Sequence, residues 1–465
     1  FGSSHFGSRL PFRADDAPAA LGSMRRLHVV VVALSLLTLL TSLRLYWQLH
    51  GPPPEDEGVE PIYQLWEKSC PREGSGRWWP FGMLATRRYG PYSRPLPARA
   101  AEAVPSLQDI VAHITGPPPN REYYEAVRSR CNVSTILGAR RVQKGRPIEV
   151  EFDTPMCFRP EEKLMYTDNH QRNNFVNPVR SMLTHFDYSS ATVIMQIGDR
   201  MVHDPFLPIL KKARMVDVKS EGHVSLMLSN VARHFGPGAA FDVGTPFDKL
   251  KGVDQFQWVQ QQLKVCKPFK EKPDKLVWRG VTTGASWTEE QEKTYGKAPP
   301  QRKRLLTRWA DGQSKRIDVA VSMYVQNVTG PWPAKGEVSM ERLSENKFLL
   351  LADGNDSASG TVWSFFSSSV VLMVWPPTWE TLALQGLMKP WVHYIPIKAD
   401  FSDLDDQMQW CLDNLDDCED IAHRASLHMF NVWPGSKLSM ESLRRSLEIY
   451  FDRYRDVIEC YCNQD

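Results

Sequence analysis

Lys347-Phe348-Leu349-Leu350-Leu351-Ala352-Asp353-Gly354-Asn355 opens the stretch that decides the fold. An apolar run ends there in an acid and a glycine, and Asp356-Ser357-Ala358-Ser359-Gly360 continue it as a loop of small residues. Ser369-Val370-Val371-Leu372-Met373-Val374-Trp375 is a second apolar run, and Lys389-Pro390-Trp391-Val392-His393-Tyr394-Ile395-Pro396-Ile397 holds a third. Short apolar runs bounded by turn residues read as strands buried on both faces. The order is strand, small-residue loop, helix, strand, helix, strand. Such alternation predicts a parallel sheet with helices on both sides and a ligand site at the carboxyl ends of its strands.

Working upstream, Lys275 to Gly280 is a strand entering a loop, Gln301 to Trp309 a basic helix, and Ile317 to Val321 a short strand. Ala191 to Asp199 reads as a buried strand ending in an acid, residues 206–213 as a helix start or a loop, and Asp254 to Val265 as a helix. Downstream, helices are expected at about 379–388, 403–413, 418–430 and 439–459. In the last, Leu443, Leu447, Phe451, Tyr454 and Ile458 recur at helical spacing and need a surface to pack against.

The amino-terminal end has a different character. Met24 is followed by Arg25-Arg26 and then by Leu27 to Leu43, almost wholly apolar. A basic flank before an apolar run of about 17 residues, with no small-residue cleavage site after it, predicts an uncleaved signal anchor. The span is placed at 27–47, with Tyr46 and Trp47 at the interface. Residues 1–26 form a cytosolic tail, of which 1–23 read as a tag or leader. The basic flank puts the bulk of the chain in the lumen of the secretory pathway, as a single-pass type II protein of the endoplasmic reticulum or Golgi membrane. Residues 48–120 form a stem and an irregular region, beginning with the polar, stiff Gly51 to Glu57. Residues 121–265 and 266–465 read as two α/β domains.

The 465 residues carry a formal charge of +2, which gives no basic face for nucleic acid. Eight cysteines suit an oxidising lumen and permit four disulfides with 105 connectivities, none with convincing zinc spacing. Sequons stand at Asn132 and Asn327; a third, at Asn355, falls in the proposed substrate loop and is expected to stay unmodified.

Several segments carry candidate chemistry. Trp278-Arg279-Gly280 is followed by Val281-Thr282-Thr283-Gly284, a turn able to offer backbone N–H groups to a phosphate. Arg302 heads the basic helix, and its guanidinium is always charged and binds oxygens in pairs. The bland alternative makes Arg302, Lys303 and Arg304 a solvated helix end. The loop Asp353 to Gly360 lets backbone approach a ligand closely. Glu380 follows Trp379 ahead of the third apolar run. His393, inside an apolar strand, reads as a satisfied core residue.

Taken in order, Trp-Arg-Gly, a later Arg before Leu-Leu, the Asp-Gly-Asn loop, Ser-Val-Val-Leu and Lys-Pro-Trp-Val-His-Tyr-Ile-Pro resemble glycosyltransferase family 90. That family includes the protein O-glucosyltransferases and the capsule-associated transferases. The resemblance covers about 190–460. It implies two Rossmann-like domains in the GT-B arrangement, a UDP-sugar as donor substrate, no cofactor and no metal. It also implies inverting transfer of a sugar, glucose or xylose, to a hydroxyl of a protein or glycan. Arg279, Val281, Thr282, Arg302, Asn355, Asp356, Ser357, Ala358, Ser359, Gly360 and Glu380 are the substrate-binding candidates.

The base that takes the acceptor proton is expected to be a carboxylate. Asp168 ranks first, with Asp199 and Asp153 as alternatives; Asp199 matches a family Asp after a similar strand. One departure stands out: the Arg that usually precedes the Ser-Val-Val-Leu strand falls on Gly360, and a further basic position of some members falls on Val362. Loss of such a cation removes up to ~1.5–3 kcal/mol of charge-assisted hydrogen bonding. This motivates a second reading, a weak or inactive lumenal binding or scaffold relative. A third, an unrelated nucleotide-binding enzyme, lacks a GxGxxG or P-loop motif.

Overall fold

The strand reading of the carboxyl-terminal half is realised as one parallel sheet. A computed structural model describes residues 104–131, 148–149, 155–161, 164–165, 176–196, 207–211, 213–216, 267–284, 301–358, 360–432 and 437–462. The expected span at 27–47, the stem, and the helix expected at 254–265 lie outside these residues. Among the described residues no helix is long and apolar enough to cross a membrane.

In chain order the amino-terminal elements are α1 (Leu107–Thr115), α2 (Arg121–Cys131), β1 (Ile148–Glu149), β2 (Pro155–Phe158), β3 (Leu164–Met165), α3 (Asn177–His185), β4 (Val193–Gln196), β5 (Ile209–Leu210) and β6 (Arg214–Met215). The remainder comprises β7 (Leu276–Gly280), α4 (Gln301–Trp309), β8 (Ile317–Val321), α5 (Met340–Ser344), β9 (Phe348–Leu351), α6 (Thr361–Ser364), β10 (Val370–Val374), β11 (Trp379–Glu380), β12 (Ile395–Ile397), α7 (Leu404–Asp413), α8 (Leu415–Val432) and α9 (Lys437–Cys462).

The five-stranded sheet runs β12-β10-β9-β7-β8. Its pairings are parallel, with Leu276 opposite Ile317, Leu276 opposite Phe348, Val370 opposite Phe348 and Leu372 opposite Ile395. The chain lays down β7, steps outward to β8, then returns to the other side of β7 for β9, β10 and β12. The direction therefore reverses between β7 and β9. A crevice opens outside the carboxyl ends of strands at such a reversal.

Alternation along the strands sorts side chains into two cores. Phe348, Leu350, Val370, Leu372 and Val374 join Leu276, Trp278, Ile317, Val319, Leu305, Leu306 and Met408 on one face. Leu349, Leu351, Val371 and Met373 point the other way, onto Leu443, Leu447, Tyr450 and Tyr454 of α9 and Met429 of α8. That second core also contains Ile110, Cys157, Phe158, Met182, Ile194 and Ile209, so residues on both sides of position 265 share it.

β2, β4 and β5 form a three-stranded sheet, β2 antiparallel to β4 and β4 parallel to β5. A disulfide ties Cys157 of β2 to Cys462 of α9, and another joins Cys411 to Cys418 between α7 and α8. Cys460 is also disulfide-bonded.

Three readings change. Residues 206–213, read as a helix start or a loop, contain the strand β5. The helix expected at 379–388 is the two-residue strand β11 followed by turns. Pro376-Pro377 removes backbone donors just before it, Gly386 weakens a helix, and Leu384 takes a positive φ of 52°. The helix expected after the small-residue loop is the four-residue turn α6, too short for a macrodipole of any weight.

Candidate active site

The β7 and β9 strands both end in glycine-bearing turns, and these turns touch. Gly284 has φ +78°, and a Cβ there would stand 2.6 Å from the Gly354 carbonyl. A Cβ on Gly354 would stand 2.6 Å from Thr283 Oγ1 and 3.0 Å from Arg302 Cζ. Only glycine permits this approach at either position.

Arg302, in the first turn of α4, reaches into this junction. Its Nη1 donates to the Val281 carbonyl at 2.9 Å and to Thr283 Oγ1, and its Nε donates to the Ala352 carbonyl at 3.2 Å. The guanidinium thus bridges the ends of β7 and β9 at the point where the chain reverses. These partners are neutral oxygens, and the bonds orient the guanidinium toward the junction. The preceding residue fixes the other wall: Gln301 Oε1 accepts from the Asp353 N–H at 2.9 Å, and its Nε2 donates to Asp353 Oδ2 at 3.2 Å. Asp353 Oδ1 accepts from the Ala358 N–H at 2.9 Å, closing the loop 353–358 on itself. Burial pushes the Asp353 carboxyl up to about 6, against the lowering effect of these bonds and of nearby Arg302.

The expected substrate-binding residues divide by location. Arg302, Val281 through its carbonyl, Asn355, Asp356, Ser357, Ala358 and Gly360 lie on or next to the junction or its loop. Gly360 has φ −62° and ψ −19°, and a Cβ there meets Leu351 Cδ2 at an ordinary 3.4 Å. Arg279 faces elsewhere: Trp278 fills the core, so its neighbour points to the opposite face of β7. There its Nη2 donates to Asp318 Oδ2 at 2.7 Å and its Nη1 to the Asp318 carbonyl at 2.9 Å. Thr282 is fully buried, its hydroxyl exchanging hydrogen bonds with the Val325 N–H and carbonyl.

Glu380 sits in a separate buried cluster. Arg214 Nε donates to its Oε1, His113 Nε2 lies 2.6 Å from its Oε2, and the Gly386 N–H donates to Oε2 at 3.1 Å. Both oxygens are engaged by protein groups. Burial raises its pKa, but the His113 and Arg214 contacts outweigh that and leave it below the usual carboxylate value. His393 is buried and its Nδ1 accepts from the Lys389 N–H, as expected of a core residue. Asp153, Asp168, Asp199 and Ser359 lie outside the described residues. Gln301 and Asp353 were not singled out from sequence as site residues. An acid closing a strand, facing the first residue of a helix at a reversal of strand order, is the signal that could have found them.

This assembly is a cation-bearing cradle at the carboxyl rim of a Rossmann-like parallel sheet. Residues 261–455 match the family described as Glycosyl transferase family 90, the family that the motifs resemble. The chain is 30% identical over 161 residues to Uncharacterized protein 035R of Invertebrate iridescent virus 3, covering 34% of this chain and 15% of that protein. It is 28% identical over 160 residues to O-glucosyltransferase LpsA of Dichelobacter nodosus, covering 34% and 43%. It is 23% identical over 203 residues to Protein O-glucosyltransferase 2 of Danio rerio, covering 39% and 40%. The chain therefore spans less than half the length of each of these curated relatives.

Proposed function

We propose that the chain is an inverting glycosyltransferase that moves glucose or xylose from a UDP-sugar to a hydroxyl of a protein or glycan. The observation that carries the reading is the convergence of Arg302, Thr283 and the Gly284–Gly354 contact at the β7/β9 reversal, inside the matching segment. A diphosphate there would take bidentate bonds from Arg302 in exchange for its carbonyl partners. The loop 354–358 would meet the donor sugar. In the transfer the anomeric carbon forms a bond to the acceptor oxygen as its bond to the diphosphate oxygen breaks. UDP leaves, and the acceptor proton passes to a carboxylate, Asp168 or Asp199. The donor domain would face an acceptor-side domain in the GT-B arrangement, and the reaction would need no metal.

Calorimetric titration with UDP, together with UDP release from UDP-glucose and UDP-xylose in EDTA, tests this. Saturable UDP binding with EDTA-insensitive release is expected; absence of both overturns it. Binding without release would favour the second reading, a binding or scaffold relative, which Gly360 at the usual Arg position motivates. For location, we propose a type II membrane protein of the endoplasmic reticulum or Golgi anchored by 27–47. The Cys157–Cys462 disulfide supports an oxidising lumen. Carbonate extraction should leave the full chain in the pellet, and its release would overturn the anchor.

A further inference from the structure

The Glu380 cluster is chemically closed, yet it is mechanically connected to the donor loop. Arg214 Nη1 donates to the Ile114 carbonyl at 3.0 Å and its Nη2 to the His113 carbonyl at 2.6 Å, at the carboxyl end of α1. The same guanidinium pairs with Glu380, and β6 pairs antiparallel with β11. Helix α1, β6 and β11 are thus held through one carboxylate whose side chain is 3% exposed.

From Glu380 the turn 381–388 is pinned at both ends. Gly386 N–H donates to Glu380, Thr381 N–H donates to Gln385 Oε1 at 2.7 Å, and His428 Nε2 donates to the Ala383 carbonyl at 2.8 Å. Gln385 is 2% exposed, so its amide needs partners inside the protein. With Oε1 committed to Thr381, its Nε2 is directed at Ser357 Oγ, 3.4 Å away in the loop 353–358. The path therefore runs from a buried ion cluster, through a turn that the cluster fixes, to a hydroxyl of the donor loop.

We propose that Glu380 is a positioning residue for the donor loop, acting through the 381–388 turn and Gln385 on Ser357. This rests on the reading of 354–358 as the loop that meets the UDP-sugar. Glu380 does not touch the donor; it sets where Gln385 stands, and Gln385 limits the positions open to Ser357. The cluster also makes the loop's placement depend on α1 and β6, elements far from it in sequence.

Glu380→Gln and Gln385→Ala test the path by hydrogen exchange and by UDP titration. Both should speed exchange of the 354–358 amides while β9 and β10 stay protected. Both should weaken UDP by roughly 3- to 10-fold, the worth of a hydrogen bond. Ser357→Ala combined with Gln385→Ala should cost no more than either alone, because the two share one contact. If Glu380→Gln does not fold, Gln385→Ala decides alone, since it leaves the ion cluster intact. Unchanged loop exchange and unchanged UDP affinity in a folded Gln385→Ala overturn the positioning role. A wild-type chain that binds no UDP overturns instead the donor reading beneath it.

Discussion

Two buried acids, Asp353 and Glu380, make opposite electrostatic choices. At the β7/β9 junction the acid is held by an amide and a backbone N–H, and desolvation raises its pKa to about 6. In the β6/β11 cluster the acid is held by Arg214 and His113, and those contacts keep its pKa low. On the proposed function, the difference separates a site from a scaffold. A carboxylate that burial keeps reluctant to ionise stands beside Arg302 at the junction of the two turns. A carboxylate locked between basic partners offers nothing outward and fixes geometry instead.

The largest way to break this contrast is Glu380→Gln. It strands the Arg214 guanidinium, 15% exposed, without its counter-ion. Loss of one partner of a buried pair costs about 3–5 kcal/mol. Denaturant unfolding should show that loss at neutral pH, and a stability equal to wild type would reassign the pair to a solvated surface bridge.

The pH dependence should carry opposite signs at the two acids. Asp353 has a folded pKa above its unfolded value, so its favourable contribution is present below the unfolded pKa and lost as pH rises through about 6. The loss is on the order of 2–3 kcal/mol at most. Glu380 has a lowered folded pKa, so its contribution is present above the unfolded value and lost as pH falls through the folded one. Asp353→Asn should therefore flatten the decline of stability between pH 4 and 7 relative to wild type, and Glu380→Gln should flatten the rise at the acid end. Parallel unfolding curves across pH for wild type and variants would show that neither acid titrates as its surroundings dictate.

Arg302→Ala sharpens the comparison from the ligand side. Removing the charge should cost about 1.5–3 kcal/mol of UDP binding, roughly 10- to 150-fold in Kd. The melting temperature should move little beside that of Glu380→Gln. Equal UDP affinity would make Arg302 a brace between the ends of β7 and β9 and not a ligand residue.

The smallest effect is a gain. Gly360→Arg sets a basic residue just before α6 without backbone strain, because Gly360 already has φ −62°. UDP-sugar affinity should rise by about 1–2 kcal/mol, roughly 5- to 30-fold. A folded variant with unchanged affinity would mean that existing groups already satisfy the phosphates.

Much of the sheet was legible because buried parallel strands are continuous apolar runs with glycine or acid at their ends. The strands at 276–280, 317–321, 348–351 and 370–374, and the helix 301–309, follow from that pattern. Arg302 was singled out through the resemblance, which sets an Arg before Leu-Leu after the Trp-Arg-Gly strand, and it lies between the ends of β7 and β9. The partners of Glu380 were not. His113 lies 267 residues away and Arg214 166, and no local pattern encodes such a meeting. Arg279 and Thr282 looked like ligand residues because they share a motif with the turn. Which face each takes depends on what the neighbouring strand sets beside it, here Asp318 and Val325. The 379–388 stretch kept an apolar count that suits a helix, but its glycine and the preceding prolines favour a turn held by side chains.

The Cys157–Cys462 bond encloses 305 residues of separation and lies partly beyond the 261–455 segment at each end. The segment of family resemblance is consequently not a unit that can be excised. Expressed alone, 261–455 would lose the part of the shared core that Ile110, Phe158, Met182 and Ile194 supply. It would also lose the carboxyl-terminal turns of α9. A nascent chain faces the same constraint: β2 cannot be fastened to α9 until all the residues between Cys157 and Cys462 have emerged from the ribosome.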